Sequence, residues 1–98
     1  MSLNAKQFLF THHVTLLIQY AYSLGYKVTF GDASRMDRKG HKKFSKHYDR
    51  LAIDLNLFKD KVYLKKTGDH MLLGLFWESL GHVWGGRFKK PDGNHYEN

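Results

Sequence analysis

Residues 51–57 read Leu-Ala-Ile-Asp-Leu-Asn-Leu, and this alternation constrains the fold more than any other feature of the chain. Successive side chains of a strand project to opposite faces. Leu51, Ile53, Leu55 and Leu57 therefore make one apolar face, and Ala52, Asp54 and Asn56 make a polar one. Such a strand needs a core on one side and leaves the other side available for chemistry. Lys59, Asp60 and Lys61 then turn the chain into a second short strand at 62–64, which predicts an antiparallel hairpin. Residues 26–30 also alternate and are rich in β-formers, so a third strand ends at Gly31 and Asp32.

Two segments carry the helical period instead. Between residues 6 and 24, Phe10, Val14, Leu17, Ala21 and Leu24 recur at steps of four and three, with Asn4 as the expected N-cap and Gly25 as the residue beyond the C-cap. Residues 69–80 place Leu72, Phe76 and Leu80 on one line, with Leu73 and Trp77 beside it and Gly81 as terminator. The polar, basic stretch 34–46 reads as a surface loop, and the tail 82–98 as Val83-Trp84, a glycine pair, a turn around Pro91 to Asn94 and a final His95-Tyr96-Glu97. The expected fold is α+β: a small antiparallel sheet with both helices on one face and a polar site on the other. At 98 residues, 42% of them hydrophobic, the chain supports one core, so residues 1–98 are expected to form a single domain.

Composition narrows the chemistry. With no cysteine, disulfides, iron–sulfur clusters and thiolate zinc sites are excluded, and any metal must be held by His, Asp or Glu. Sixteen Lys and Arg against nine Asp and Glu give a net charge of +7, which suits nucleic acid, an anionic membrane surface or a bacterial cell wall. The longest apolar block, 14–18, is interrupted by Thr15, far short of the roughly 18 apolar residues a membrane span needs. No membrane insertion is expected. Nothing after Lys6 resembles a secretory cleavage pattern, so synthesis in the cytoplasm without a signal peptide is expected, with action on a wall only after release.

Seven histidines stand in the chain, and context separates them. His47 precedes the alternating strand, and Asp54 lies on its polar face beside the small Ala52, which leaves room for an ion. Seven residues along one continuous strand would put His47 and Asp54 on opposite faces, so His47 must reach the site from the preceding loop. The favoured third ligand is His95, with Asp92 three residues before it across Gly93, which allows a bend. Two imidazoles and one carboxylate with a spare carboxylate nearby is the donor set of a catalytic zinc site with a position open to water. Taken singly, Asp54 reads equally well as a solvent-facing strand residue. His12, His13, His41, His70 and His82 read as surface, cap or supporting residues, with His82 nearest to the site; Trp77 reads as core, and Trp84 as either core or cleft.

The order Ser45, His47, Ala52, Asp54, then Trp84-Gly85-Gly86, then Asp92-x-x-His95 resembles the zinc D-alanyl-D-alanine carboxypeptidase and L-alanyl-D-glutamate peptidase family, which includes phage endolysins and vancomycin-resistance dipeptidases. The resemblance implies that His47, Asp54 and His95 bind a zinc ion and that Asp92 is the general base and later the proton donor. It further implies that Arg35 holds substrate and stabilises the oxyanion, a role suited to a guanidinium whose charge does not titrate away. Ser45 would orient the site. Arg50 stands where many members of the family have glycine. The implied activity is hydrolysis of a peptide bond in peptidoglycan stem peptides by a monomeric phage or prophage lysis enzyme. The alternatives are a relative that binds the wall without cleaving it, and a nucleic-acid-binding module resting on charge and 15% aromatic residues, for which no recognisable reader motif is present.

Overall fold

The computed structural model describes residues 1–31 and 49–98. Arg35, Ser45, His47 and the basic stretch 34–46 lie outside the described residues. The chain begins with helix α1, Leu3–Ser23, followed by strands β1, Lys27–Phe30, β2, Ala52–Lys59, and β3, Val62–Leu64. A 3₁₀ turn, Thr67–His70, leads into helix α2, Met71–Ser79; after β4, Val83–Trp84, a second 3₁₀ turn at Gly85–Arg87 precedes β5, His95–Glu97.

Helix α1 is capped at both ends by local chemistry. Ser2, not Asn4, is the N-cap: its Oγ accepts the Ala5 N–H at 3.1 Å, so the helix starts earlier than the apolar stripe indicates. At the other end Gly25 takes φ +88°, its N–H reaching the Tyr22 carbonyl while the Tyr26 N–H reaches that of Ala21, which closes a Schellman motif. The buried residues of α1 are Phe10, Val14, Leu17 and Ala21, the predicted stripe.

Among the described residues the sheet has five strands, ordered β1-β2-β5-β4, with β3 also paired to β2. Each of these pairings is antiparallel. Strand β2 is the hub. One edge carries β1, and the opposite edge carries β5 against Ala52–Asp54 and β3 against Leu57–Lys59, since Leu57 pairs with both Val28 and Leu64. In the β2–β3 hairpin, Asp60 and Lys61 both have positive φ, 51° and 67°, as a two-residue type I′ turn requires. Leu51, Ile53, Leu55 and Leu57 enter one core with Phe10, Val14 and Leu17 of α1 and Leu73 and Trp77 of α2, so both helices cover the same face.

Two sequence expectations need correction. The segment 69–80 does not begin as α-helix, because its first turn is the 3₁₀ stretch Thr67–His70. On the expected line only Leu72 departs, being 49% exposed; Phe76 and Leu80 pack partly buried against the core, and the most deeply buried positions are Leu73, Gly74 and Trp77 beside them. Trp84 packs against the Gly74 side of the helix. Its indole lies against Gly74, where a Cβ would overlap the ring, and its Nε1 donates to the Gly93 carbonyl at 2.7 Å. Trp84 is 1% exposed and closes the core instead of lining a cleft.

Candidate metal centre

The alternation of β2 that buries Ile53 and Leu55 turns Asp54 to the opposite face. The pairing of β2 with β5 then decides which residues join it. Ala52 faces Glu97, Ile53 faces Tyr96 and Asp54 faces His95. Tyr96, 0% exposed, follows Ile53 into the core, so His95 and Glu97 share the face of Asp54. The ladder bonds Leu55 N–H to the Asn94 carbonyl and Asn98 N–H to the Leu51 carbonyl, while the Asp54 carbonyl accepts from Gly31 on the β1 edge. Asp54 and His95 therefore form a non-hydrogen-bonded pair, the kind in which facing side chains come closest.

Asp92 is brought in by a turn. The His95 N–H bonds to the Asp92 carbonyl at 3.1 Å, and the Asp92 N–H bonds to the Gly85 carbonyl at 2.9 Å. The expected bend is present, but Gly93 serves it by size: a Cβ there would lie 2.6 Å from the Thr67 Cα. Gly85 is equally confined, since a Cβ would overlap the Asp92 carbonyl oxygen and come within 2.8 Å of the His95 Cβ.

The outcome is a group of three side chains, Asp54, Asp92 and His95, each offering a ligand atom within 4.8 Å of the others. Asp92 is exposed, Asp54 partly buried and His95 9% exposed. His95 Nδ1 lies 3.1 Å from Asp54 Oδ1, and its Nε2 lies 2.8 Å from Glu97 Oε1. Burial works against protonation of His95, but hydrogen bonds to Asp54 and Glu97 and the charges of both outweigh it, holding the imidazole above its ordinary pKa. A partly buried imidazole beside two converging carboxylates fits a divalent cation of the zinc type, because the donors are nitrogen and oxygen and the negative charge needs an opposite one.

Of the residues singled out by sequence, the structure brings together Asp54, Asp92 and His95; His47 and Arg35 lie outside the described residues. His82, expected nearest the site, packs elsewhere: its ring stacks on Trp77 at 4.3 Å and its Nε2 meets His13 Nδ1 at 2.6 Å. His70 is no surface residue, being 2% exposed and bonded through Nδ1 to the Tyr96 hydroxyl at 2.8 Å. Glu97 was not among the sequence candidates. Its signal was there, two residues after His95, but it becomes legible only when 95–97 is read as a strand.

The sequence model of the D-alanyl-D-alanine carboxypeptidase family matches residues 39–98, more than half of the chain. The chain belongs to this family. The matched stretch contains His47, Asp54, Asp92 and His95, whereas Arg35 precedes it. Among solved structures the chain is similar to the L-Ala D-Glu endopeptidase ChiX of Serratia marcescens, with a TM-score of 0.59 and 19% identity over 83% of this chain and 74% of that one. At that identity the likeness is one of fold. No curated protein sequence matches the chain. As a family member it is a peptidase, and none of its described helices is long and apolar enough to cross a membrane.

Proposed function

We propose that this chain is a zinc-dependent peptidase that hydrolyses an L-alanyl-D-glutamate or D-alanyl-D-alanine bond in peptidoglycan stem peptides, serving as a phage or prophage lysis enzyme. The observation that carries the reading is the convergence of Asp54, Asp92 and His95 in a member of a peptidase family. Asp54 and His95, with His47, would hold the ion. The chemistry such an ion supplies is Lewis acidity, toward a carbonyl oxygen and toward water.

The protein's own groups do the rest. Asp92 is exposed beside the two ligands, so its carboxylate is reachable by water and by substrate. It takes the proton of the attacking water and delivers it to the leaving amine. Arg35 steadies the negative charge that develops on the scissile carbonyl oxygen. The net charge of +7 favours approach to an anionic wall. Residues 1–98 are taken as one catalytic domain, active as a monomer on the wall once it is released from the cytoplasm.

The test is digestion of purified peptidoglycan, with the fragments identified by mass. New amino termini on D-glutamate, or release of free D-alanine, are expected, and both should stop when a chelator removes the metal and resume on adding zinc. Intact stem peptides with zinc-loaded protein would overturn the proposal.

A further inference from the structure

We infer that Glu97 is the positioning residue of this centre, the group that decides which nitrogen of His95 carries the proton and so aims the other at the metal. The inference rests on the proposed metal site. A neutral imidazole has one N–H and one lone pair, and a ligating histidine must present the lone pair to the ion. Here the ring stands between two carboxylates, Asp54 at 3.1 Å on Nδ1 and Glu97 at 2.8 Å on Nε2. Both carboxylates can accept a proton, but Nδ1 faces Asp54 with Asp92 converging on the same side, so an ion shared with Asp54 would take the Nδ1 lone pair and leave the proton on Nε2, where Glu97 holds it.

The fold supports this pairing. Glu97 and His95 are two residues apart on β5 and lie on one face, and the cross-strand partner of Glu97 is Ala52. A methyl group at that position leaves space for the carboxylate to turn back onto the ring. The Glu97 side chain is 17% exposed and that of His95 11%, so little water competes for Nε2. A carboxylate bonded to the distal nitrogen of a ligating histidine fixes the tautomer, orients the ring and raises its basicity as a ligand.

The experiment measures zinc affinity by competition with a chelator for the full chain, for Glu97→Ala and for Glu97→Gln, alongside the melting temperature of each metal-free protein. Loss of this partner is expected to weaken zinc binding about 10- to 100-fold in Glu97→Ala. Glu97→Gln, which retains an acceptor without the charge, should fall between it and the wild type. In the zinc-loaded wild type, the His95 ring nitrogens should show a protonated Nε2 and a ligating Nδ1 by NMR. Unchanged affinity in Glu97→Ala would overturn the inference while leaving the metal site intact, and a lower melting temperature with unchanged affinity would reduce Glu97 to a structural role. Should Glu97→Ala fail to fold, wild-type affinity in Glu97→Gln overturns the inference instead. A wild-type chain that takes up no zinc would overturn the metal reading itself.

Discussion

Asp54 and His95 face each other across β2 and β5 at a pair that makes no ladder hydrogen bond, with Oδ1 and Nδ1 3.1 Å apart. Facing Cα atoms at such pairs are about 4.5 Å apart, against about 5.5 Å at hydrogen-bonded ones. The register is therefore part of the site. A slip of one residue would send His95 into the core and bring the apolar-facing Tyr96 out. Burial of Tyr96 and Ile53 on the opposite face opposes that slip.

If the ligand set is as proposed, His47→Ala, Asp54→Ala and His95→Ala should each lower zinc content well below one ion per chain, as measured by elemental analysis. Asp92→Ala should retain the metal and lose turnover by about 10²- to 10⁴-fold, the usual contribution of a proton-transfer group. Full zinc occupancy in all three ligand variants would contradict the assignment.

Gly85 is the tightest packing point beneath the site, touching both the Asp92 carbonyl and His95. Gly85→Ala forces that turn apart and is expected to cost about 1–3 kcal/mol of stability, the range for overpacking. Zinc affinity should drop with it. Gly68→Ala provides the control, because a Cβ there meets nothing within 4 Å. Chemical denaturation of both variants, read beside their zinc titrations, checks the contrast.

Arg50 holds φ 57°, a left-handed conformation that costs a residue with a Cβ roughly 1–2 kcal/mol. Glycine adopts it freely but loses more chain entropy on folding, which offsets part of the gain. Arg50→Gly should leave the protein equally or more stable, by up to about 1 kcal/mol. A loss of stability on thermal denaturation would show that the Arg50 side chain makes a compensating contact.

His70 carries a pH dependence that can be isolated. Burial lowers its pKa, outweighing the Asp69 charge and a backbone hydrogen bond at Leu64 that act in the other direction. Because the unfolded chain takes up the proton first, the stability from neutral His70 is present above about pH 6.5 and is lost as pH falls toward the folded value. His70→Gln keeps hydrogen-bonding capacity without a titrating group. The difference in melting temperature between wild type and His70→Gln should change in this direction between pH 7 and pH 5, and a constant difference would refute it. His95 has the opposite sign in the metal-free protein: its raised pKa stabilises below the unfolded value, and that contribution disappears as pH rises through the folded one.

The sequence by itself determined the helix stripe of Phe10, Val14, Leu17 and Ala21, the β2 alternation that sets Asp54 apart from Leu55, and the β2–β3 hairpin, because each follows from local periodicity. It also pointed to the family, through motifs between Ser45 and His95 that lie within the matched residues 39–98. Only the tertiary structure decided which residues of α2 lie deepest, since Leu72 and Leu73 are equally apolar and only Leu73 is buried, with Trp84 packed against the neighbouring Gly74. The partner of His95 was likewise settled by pairing between strands more than thirty residues apart in the chain, β2 ending at Lys59 and β5 starting at His95. Three residues such as His-Tyr-Glu are too short to announce a strand, and without the strand Glu97 has no defined face. Local sequence sets which side chains share an element; long-range hydrogen bonding and burial set which elements meet, and the site lies where they meet.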